Sequence, residues 1–226
     1  HLSAGHVDWD SAFEGADWFH ISGITPAISA TTLQLAQDSI AEAKARGVLV
    51  SLDLNYRSRL WNYGVAPLDV LPAMVAKVDT LIAGRGDCMP CLGIDGDGEN
   101  GSDEWGLSLS EKLMKAYPNL VNVALTIRAS RSAEHHEWRA CLREDRGAVF
   151  SRNYDLMNIV DRVGTGDAFC AGLIYGLLME PTPQAAVEFG AAANCLKHAI
   201  VGDSNCVSVD EVKAMMDGQG AGRLRR

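Results

Sequence analysis

A chain of 226 residues with 47% apolar and 22% charged residues can bury one sizeable core, which excludes a disordered polymer. Its formal charge of -9 and pI near 5.1 exclude broad nucleic-acid binding and a polybasic membrane contact, because both need clustered Lys and Arg. Any anionic ligand must therefore be met by locally placed positive charge.

Residues 30–46 carry Leu33, Ala36, Ile40 and Ala43 at helical spacing, with Thr31 or Thr32 as N-cap and Gly47 as the stop. The apolar run 48–54 then reads as a strand. The same order returns as a helix over 71–77 and a strand over 78–83, and again as a helix around 109–117 and a strand over 121–127. Repeated helix–strand alternation predicts an α/β protein with a mostly parallel sheet. The acidic, Gly-rich stretch 93–101 is expected to be an exposed loop. Residues 138–142 and 148–151 flank a charged turn and predict an antiparallel hairpin at a sheet edge.

Helices over 166–179, 183–199 and 209–216 close the chain, with a strand over 157–160 feeding the first. The apolar stretch 168–179 is too short to span a bilayer, and its Gly172 and Gly176 point to close helix packing. Residues 1–10 have neither a basic region nor an apolar core, so no export signal is expected, and the scattered cysteines fit a reducing, cytoplasmic setting. Cys88 and Cys91 form a CxxC with no second pair at zinc-ligand spacing, and His135, His136 and Glu137 are expected in a solvated loop.

In open α/β sheets ligands gather at the carboxyl ends of strands, which directs attention to residues 53–57, 84–87, 128–130 and 164–167. Gly164, Thr165, Gly166 and Asp167 stand where a strand turns into a helix. Two glycines permit close backbone approach, and the helix N-terminus offers free N–H groups and a positive dipole end to a phosphoryl group. Asp167 is placed to take a proton from a substrate hydroxyl. Alternatively, the glycines supply a turn and Asp167 caps the helix amides.

The run Val-Asp-Arg-Val-Gly-Thr-Gly-Asp-Ala-Phe-Cys-Ala-Gly at 160–172 closely resembles the second signature of ribokinase-like, PfkB-type carbohydrate kinases. Neither a P-loop nor the protein-kinase motif set is present. The resemblance implies a three-layer α/β/α fold with a mostly parallel central sheet. Relative to the family pattern, the first strands and a small β lid are expected to be missing, and with them a lid contact that makes homo-oligomers. The sequence also lacks an initiator Met.

Trp-Phe-His-Ile-Ser-Gly-Ile-Thr-Pro at 18–26, Asp-Leu-Asn-Tyr-Arg-Ser-Arg-Leu-Trp at 53–61 and the tail at 220–223 are similar to those of the 2-keto-3-deoxygluconate kinases. By that resemblance Arg57 meets the carboxylate of a sugar acid, with Asn55 nearby, and Asp203 meets substrate hydroxyls. An Arg fork suits a carboxylate, whereas the plainer reading of Arg57 is a surface ion pair. For Asp203 the plainer reading is a turn aspartate.

ATP is the implied phosphoryl donor, with Thr126, Arg128 and Ser130 (and Ser132) under its phosphates and ribose, and Ala191 and Asn194 at the adenine. Ala191 equally fits plain helix packing. The family's Asn-x-x-Glu, which organises Mg2+, aligns with Gly84-Arg85-Gly86-Asp87, so Asp87 is the implied metal residue while Gly84 and Arg85 weaken the site. The implied activity is ATP-dependent phosphorylation of 2-keto-3-deoxygluconate. A neutral-sugar kinase, for fructose or ribose, and a catalytically degenerate binding protein are the alternatives. No nucleic-acid or membrane partner is expected.

Overall fold

The computed structural model describes residues 4–99, 101–130, 135–157 and 159–218. The chain forms two compact units, one running to Leu125 and taking in Arg143–Arg146, the other comprising Thr126–Leu142 and the chain from Gly147 onward.

The first unit contains α1 (Trp9–Phe13), β1 (Trp18–Ser22), α2 (Ile24–Ile28), α3 (Ala30–Ala45), β2 (Leu49–Asp53), α4 (Pro67–Val75), β3 (Thr80–Gly84), α5 (Cys88–Leu92) and α6 (Asp103–Ala116). The initial half of β4 (Asn122–Ser130) also belongs to it. The strand order is β1-β2-β3-β4. β1 and β2 run parallel with Trp18 opposite Leu49 and Ser22 opposite Asp53, and β2 and β3 run parallel with Asp53 opposite Ile82. Val50 and Leu52 on β2 and Leu81, Ile82 and Ala83 on β3 are all buried, which is how a parallel strand covered on both faces reads in sequence.

Helix ends differ from expectation for local reasons. The N-cap of α3 is Ser29, because its hydroxyl accepts from the Thr32 amide while Thr32 Oγ1 accepts from the Ser29 amide, making Thr32 the third helical residue of a capping box. Helix α4 begins at Pro67, not at 71, since a proline in the first turn forfeits an N–H that has no helical partner anyway. Helix α6 likewise starts at Asp103, where Ser102 caps the Trp105 amide. The loop before it is largely exposed, as expected, yet tied down: Trp105 Nε1 donates to Asp95 at 2.8 Å, and Lys112 and Ser108 both donate to Asp97.

The second unit holds the rest of β4, most of β5 (His135–Glu144), β6 (Gly147–Phe150), β7 (Tyr154–Met157), α7 (Thr165–Met179), α8 (Pro183–Lys197) and α9 (Val209–Met216). Its strand order is β4-β5-β6, with β7 antiparallel on β5. The hairpin is present, but the strand expected over 157–160 lies at Tyr154–Met157. There Tyr154 and Leu156 are buried and Asp155 and Met157 exposed, whereas Val160 turns away to donate its amide to His198 O. His135 and His136 lie in β5 by backbone, not in a loop, and their side chains fall outside the described residues.

Helices α7 and α8 touch almost backbone to backbone. A Cβ on Gly172 would lie 2.8 Å from Ala193 Cβ, and one on Gly176 would lie 2.7 Å from Ala186 Cα. Gly172 and Gly176 thus form a helix-packing seam.

Glu188, buried in α8, accepts from the Arg152 amide and Nε and from the Tyr154 hydroxyl, while the Arg152 guanidinium also donates to Met215 O and Met216 O at the end of α9. Burial, then Glu188, pushes the Tyr154 phenol far above its ordinary range. Glu188→Ala strands all three donors and is expected to cost about 2–3 kcal/mol of stability in urea melts. Glu188→Gln, which keeps an acceptor, should cost less.

Among the described residues no helix is long and apolar enough to cross a membrane.

Candidate active site

In the first unit the carboxyl ends of β1, β2 and β3 are laced together. The Gly23 amide donates to Asp53 O at 2.7 Å, and a Cβ at Gly23 would lie 2.2 Å from Leu54 O, so only glycine allows this approach. Asn55 then adopts φ +39°, a left-handed conformation uncommon outside glycine but most accessible to Asn and Asp. Its side-chain amide donates to Ser22 Oγ at 3.1 Å and its backbone amide to Asp53 Oδ1 at 3.2 Å. The next amide, of Tyr56, donates to Asp87 Oδ1 at 3.3 Å, and Asp87 Oδ2 accepts from the Gly84 amide at 2.6 Å.

Arg57 follows this turn and is exposed. Its guanidinium donates only to the neighbouring Tyr56 O at 2.9 Å, and among the described residues it makes no ion pair. The surface ion pair of the plainer reading is not found among the described residues. Asp87 is mostly buried; desolvation raises its carboxyl above the usual range, opposed by the Gly84 and Tyr56 amides and by Arg57.

In the second unit Gly164 adopts φ +73°, and a Cβ there would sit 2.1 Å from Asp203 O. The turn is braced from beneath. Asn194, buried in α8, donates to Thr165 O at 2.8 Å, and Thr165 Oγ1 donates to Arg162 O. Asp161 accepts from the Val163 and Gly202 amides at 3.0 and 2.8 Å, which holds its carboxyl below the ordinary range. Lys197 is fully buried, its ammonium donating to Ile200 O at 2.9 Å and Gly202 O at 2.5 Å. It thereby fixes the loop that presents Asp203.

Helix α7 has no side-chain cap. Asp167 is exposed and accepts none of the first-turn amides, and the amides of Gly166 and Asp167 have no acceptor among the described residues. The capping alternative is thus not what the turn contains. A carboxylate beside two outward N–H donors and a positive dipole end can bind an oxyanion and take up a proton next to it.

The predicted residues fall into two groups, each assembled within its own unit: Asn55, Arg57 and Asp87 in the first, and Gly164, Thr165, Gly166, Asp167, Asn194 and Asp203 in the second. Asp203 is exposed and meets the turn through its carbonyl. Thr126 and Arg128 share one face of β4, half-buried and exposed respectively, and the Ser130 side chain lies outside the described residues, as do Ser132 and the tail at 220–223. Ala191 is completely buried, and Asn194 keeps its side-chain oxygen buried without a partner. Asp161 and Lys197 were not anticipated. Asp161 stood within the quoted motif, whereas a lysine near a helix end gives no sign of being buried.

As a magnesium seat the 84–87 segment fits poorly. Both Asp87 oxygens already receive amides, and among the described residues no three His, Cys, Asp or Glu side chains are grouped to hold a metal ion. Cys88 and Cys91 are buried in α5 without a disulfide, and burial pushes both thiols up, Cys91 to about 12, which makes them inert packing groups.

The mostly parallel strands, with a glycine-rich turn opening onto a helix, define the ribokinase-like α/β class. The chain belongs to the pfkB family of carbohydrate kinases, whose sequence pattern matches residues 140–209. It is 31% identical over 209 residues to a 2-dehydro-3-deoxygalactonokinase of Haloferax volcanii, covering 92% of this chain and 60% of that protein. Similarity to an ATP-dependent 6-phosphofructokinase of Thermoanaerobacterium thermosaccharolyticum is 29% over 186 residues, 79% of this chain and 49% of the relative. The crystal structure of a 2-dehydro-3-deoxygluconokinase from Thermotoga maritima superposes with a TM-score of 0.89 at 38% identity, over 96% of this chain and 66% of that one. The chain thus spans between half and two thirds of the length of these relatives.

Proposed function

We propose that the protein transfers the γ-phosphoryl group of ATP to the terminal hydroxyl of 2-keto-3-deoxygluconate, yielding the 6-phosphate and ADP. The observation that carries this reading is the exposed Asp167 carboxylate beside the Gly166 and Asp167 amides of α7, none of which has a hydrogen-bond partner among the described residues. Asp167 takes the hydroxyl proton as the substrate oxygen bonds to phosphorus and the bond to the departing ADP oxygen breaks. The amides at Gly166 and Asp167 meet the charge on the transferring group, and Gly164 holds the turn that aims them.

Arg57 pairs with the sugar acid's carboxylate, with Asn55 beside it, and Asp203 accepts from a substrate hydroxyl. Thr126, Arg128, Ser130, Ala191 and Asn194 are assigned to the nucleotide. Mg2+ would accompany ATP by the family resemblance, but no step is routed through it, because Asp87 is committed elsewhere. A cytoplasmic location and a homo-oligomer belong to the same reading.

The Haloferax relative favours a second substrate, the galacto epimer, which offers the same carboxylate and terminal hydroxyl. Phosphorylation of both epimers, fructose and ribose in parallel separates the readings. Selective turnover of a sugar acid supports the proposal; turnover of neutral sugars alone overturns the substrate, and ATP binding without any product overturns the activity. Arg57→Ala is expected to lower kcat/KM for the sugar acid by about thirtyfold, the loss of one charge-assisted pair, and to affect fructose much less.

A further inference from the structure

We propose that Asp87 is a positioning residue for the sugar-acid contact, locking the 55–57 turn, and not an organiser of magnesium. This rests on the reading of Arg57 given above. The turn that carries Arg57 begins with a non-glycine residue at φ +39°, a conformation that persists only where its surroundings over-determine it. Three groups do so. Ser22 accepts from the Asn55 side chain, Asp53 from the Asn55 amide, and Asp87 from the Tyr56 amide.

Asp87 ties the end of β3 to this turn through both of its oxygens. Oδ2 holds the Gly84 amide at 2.6 Å, and the Asp87 amide returns a bond to Gly84 O at 3.1 Å. The carboxylate is therefore a cross-tie from the end of β3 to the residue immediately before Arg57. A magnesium-organising carboxylate needs free lone pairs directed at a hydrated ion. Here both oxygens face amides, Gly84 brings no side chain to help, and Arg85 adds positive charge.

Side-chain length separates the two roles. Glutamate is the residue type at this place in the family pattern, so Asp87→Glu should improve a metal site. The extra methylene, however, pushes the carboxylate past the position from which it reaches both amides, so the same change should loosen a cross-tie.

The test is calorimetric titration of 2-keto-3-deoxygluconate, and separately of ATP with and without magnesium, onto full-length wild type, Asp87→Glu, Asp87→Asn and Arg57→Ala. The expected result is sugar-acid affinity weakened about tenfold in both Asp87 variants, as for loss of one charge-assisted hydrogen bond. ATP affinity and its magnesium dependence should be unchanged, a split that general destabilisation would not produce. Circular dichroism melts establish folding, and if the Asn variant does not fold, the Glu variant carries the test.

Tighter magnesium–ATP binding by Asp87→Glu with unaltered sugar-acid affinity would overturn the proposal. If Arg57→Ala weakens sugar-acid binding and neither Asp87 variant does, the cross-tie alone is refuted. If Arg57→Ala has no effect on a wild type that binds the sugar acid, the Arg57 reading falls and takes the positioning role with it. A wild type that binds no sugar acid refutes the proposed function as well.

Discussion

Asp167→Asn is expected to reduce turnover about a thousandfold while leaving the fold and ATP affinity in place. The carboxylate is exposed and accepts no hydrogen bond among the described residues, so its replacement removes a proton acceptor without stranding a donor there. Surface changes of this kind shift stability by no more than about 0.5 kcal/mol. The first-turn amides that would meet phosphate belong to the backbone and survive the change. Single-turnover phosphorylation with equilibrium ATP binding distinguishes this outcome from collapse of the site. A variant that retained more than about a tenth of wild-type turnover would remove Asp167 from the role of base.

Gly164→Ala should be the most damaging single methyl group in the second unit. It meets two penalties at once, a left-handed backbone at φ +73° and a carbonyl oxygen 2.1 Å from the new Cβ. A flexible side chain could swing aside, but this oxygen belongs to Asp203, on a loop pinned by Lys197 and by Asp161. The expected cost is about 3 kcal/mol in urea denaturation, with activity lost as the amides move out of line. Gly202→Ala is the internal control. Its φ is +90° but nothing lies within 4 Å, so only the conformational penalty of about 1 kcal/mol applies. Equal losses in the two variants would show that the Asp203 contact is unimportant.

Much of the fold was legible because helix and strand alternate with clean periodicity, and the 164–167 turn into α7 was legible because its residues are contiguous in the chain. What escaped was chemistry between residues far apart in sequence or hidden behind an ambiguous local signal. The helix expected over 71–77 begins earlier because Pro67 occupies a first-turn position where no N–H is needed. Met157 and Val160 read as a strand because both are apolar, but pairing with β5 begins three residues earlier at buried Tyr154. Lys197 carries no local sign of burial, and only the fold-back of 200–202 supplies the carbonyls that let an ammonium be buried. Arg57 and Asn55 stood out through resemblance alone, since nothing local marks an arginine after a strand as a carboxylate partner. Asp87 was drawn into a metal role by the same resemblance, and its bonds to Tyr56 and Gly84, 31 and 3 residues away, could not be read from residue type.

The glycine seam between α7 and α8 has a mechanical consequence. With Gly172 against Ala193 and Gly190, and Gly176 against Ala186, the two helices are geared at a separation too small for either to roll or slide without collision. The 164–167 turn, the proposed place of phosphoryl transfer, is the leading end of one of those gears. It is therefore a fixed anvil: adaptation to a differently shaped acceptor must come from the parts that deliver the acceptor, because tilting the helix that receives it would jam the seam along its whole length.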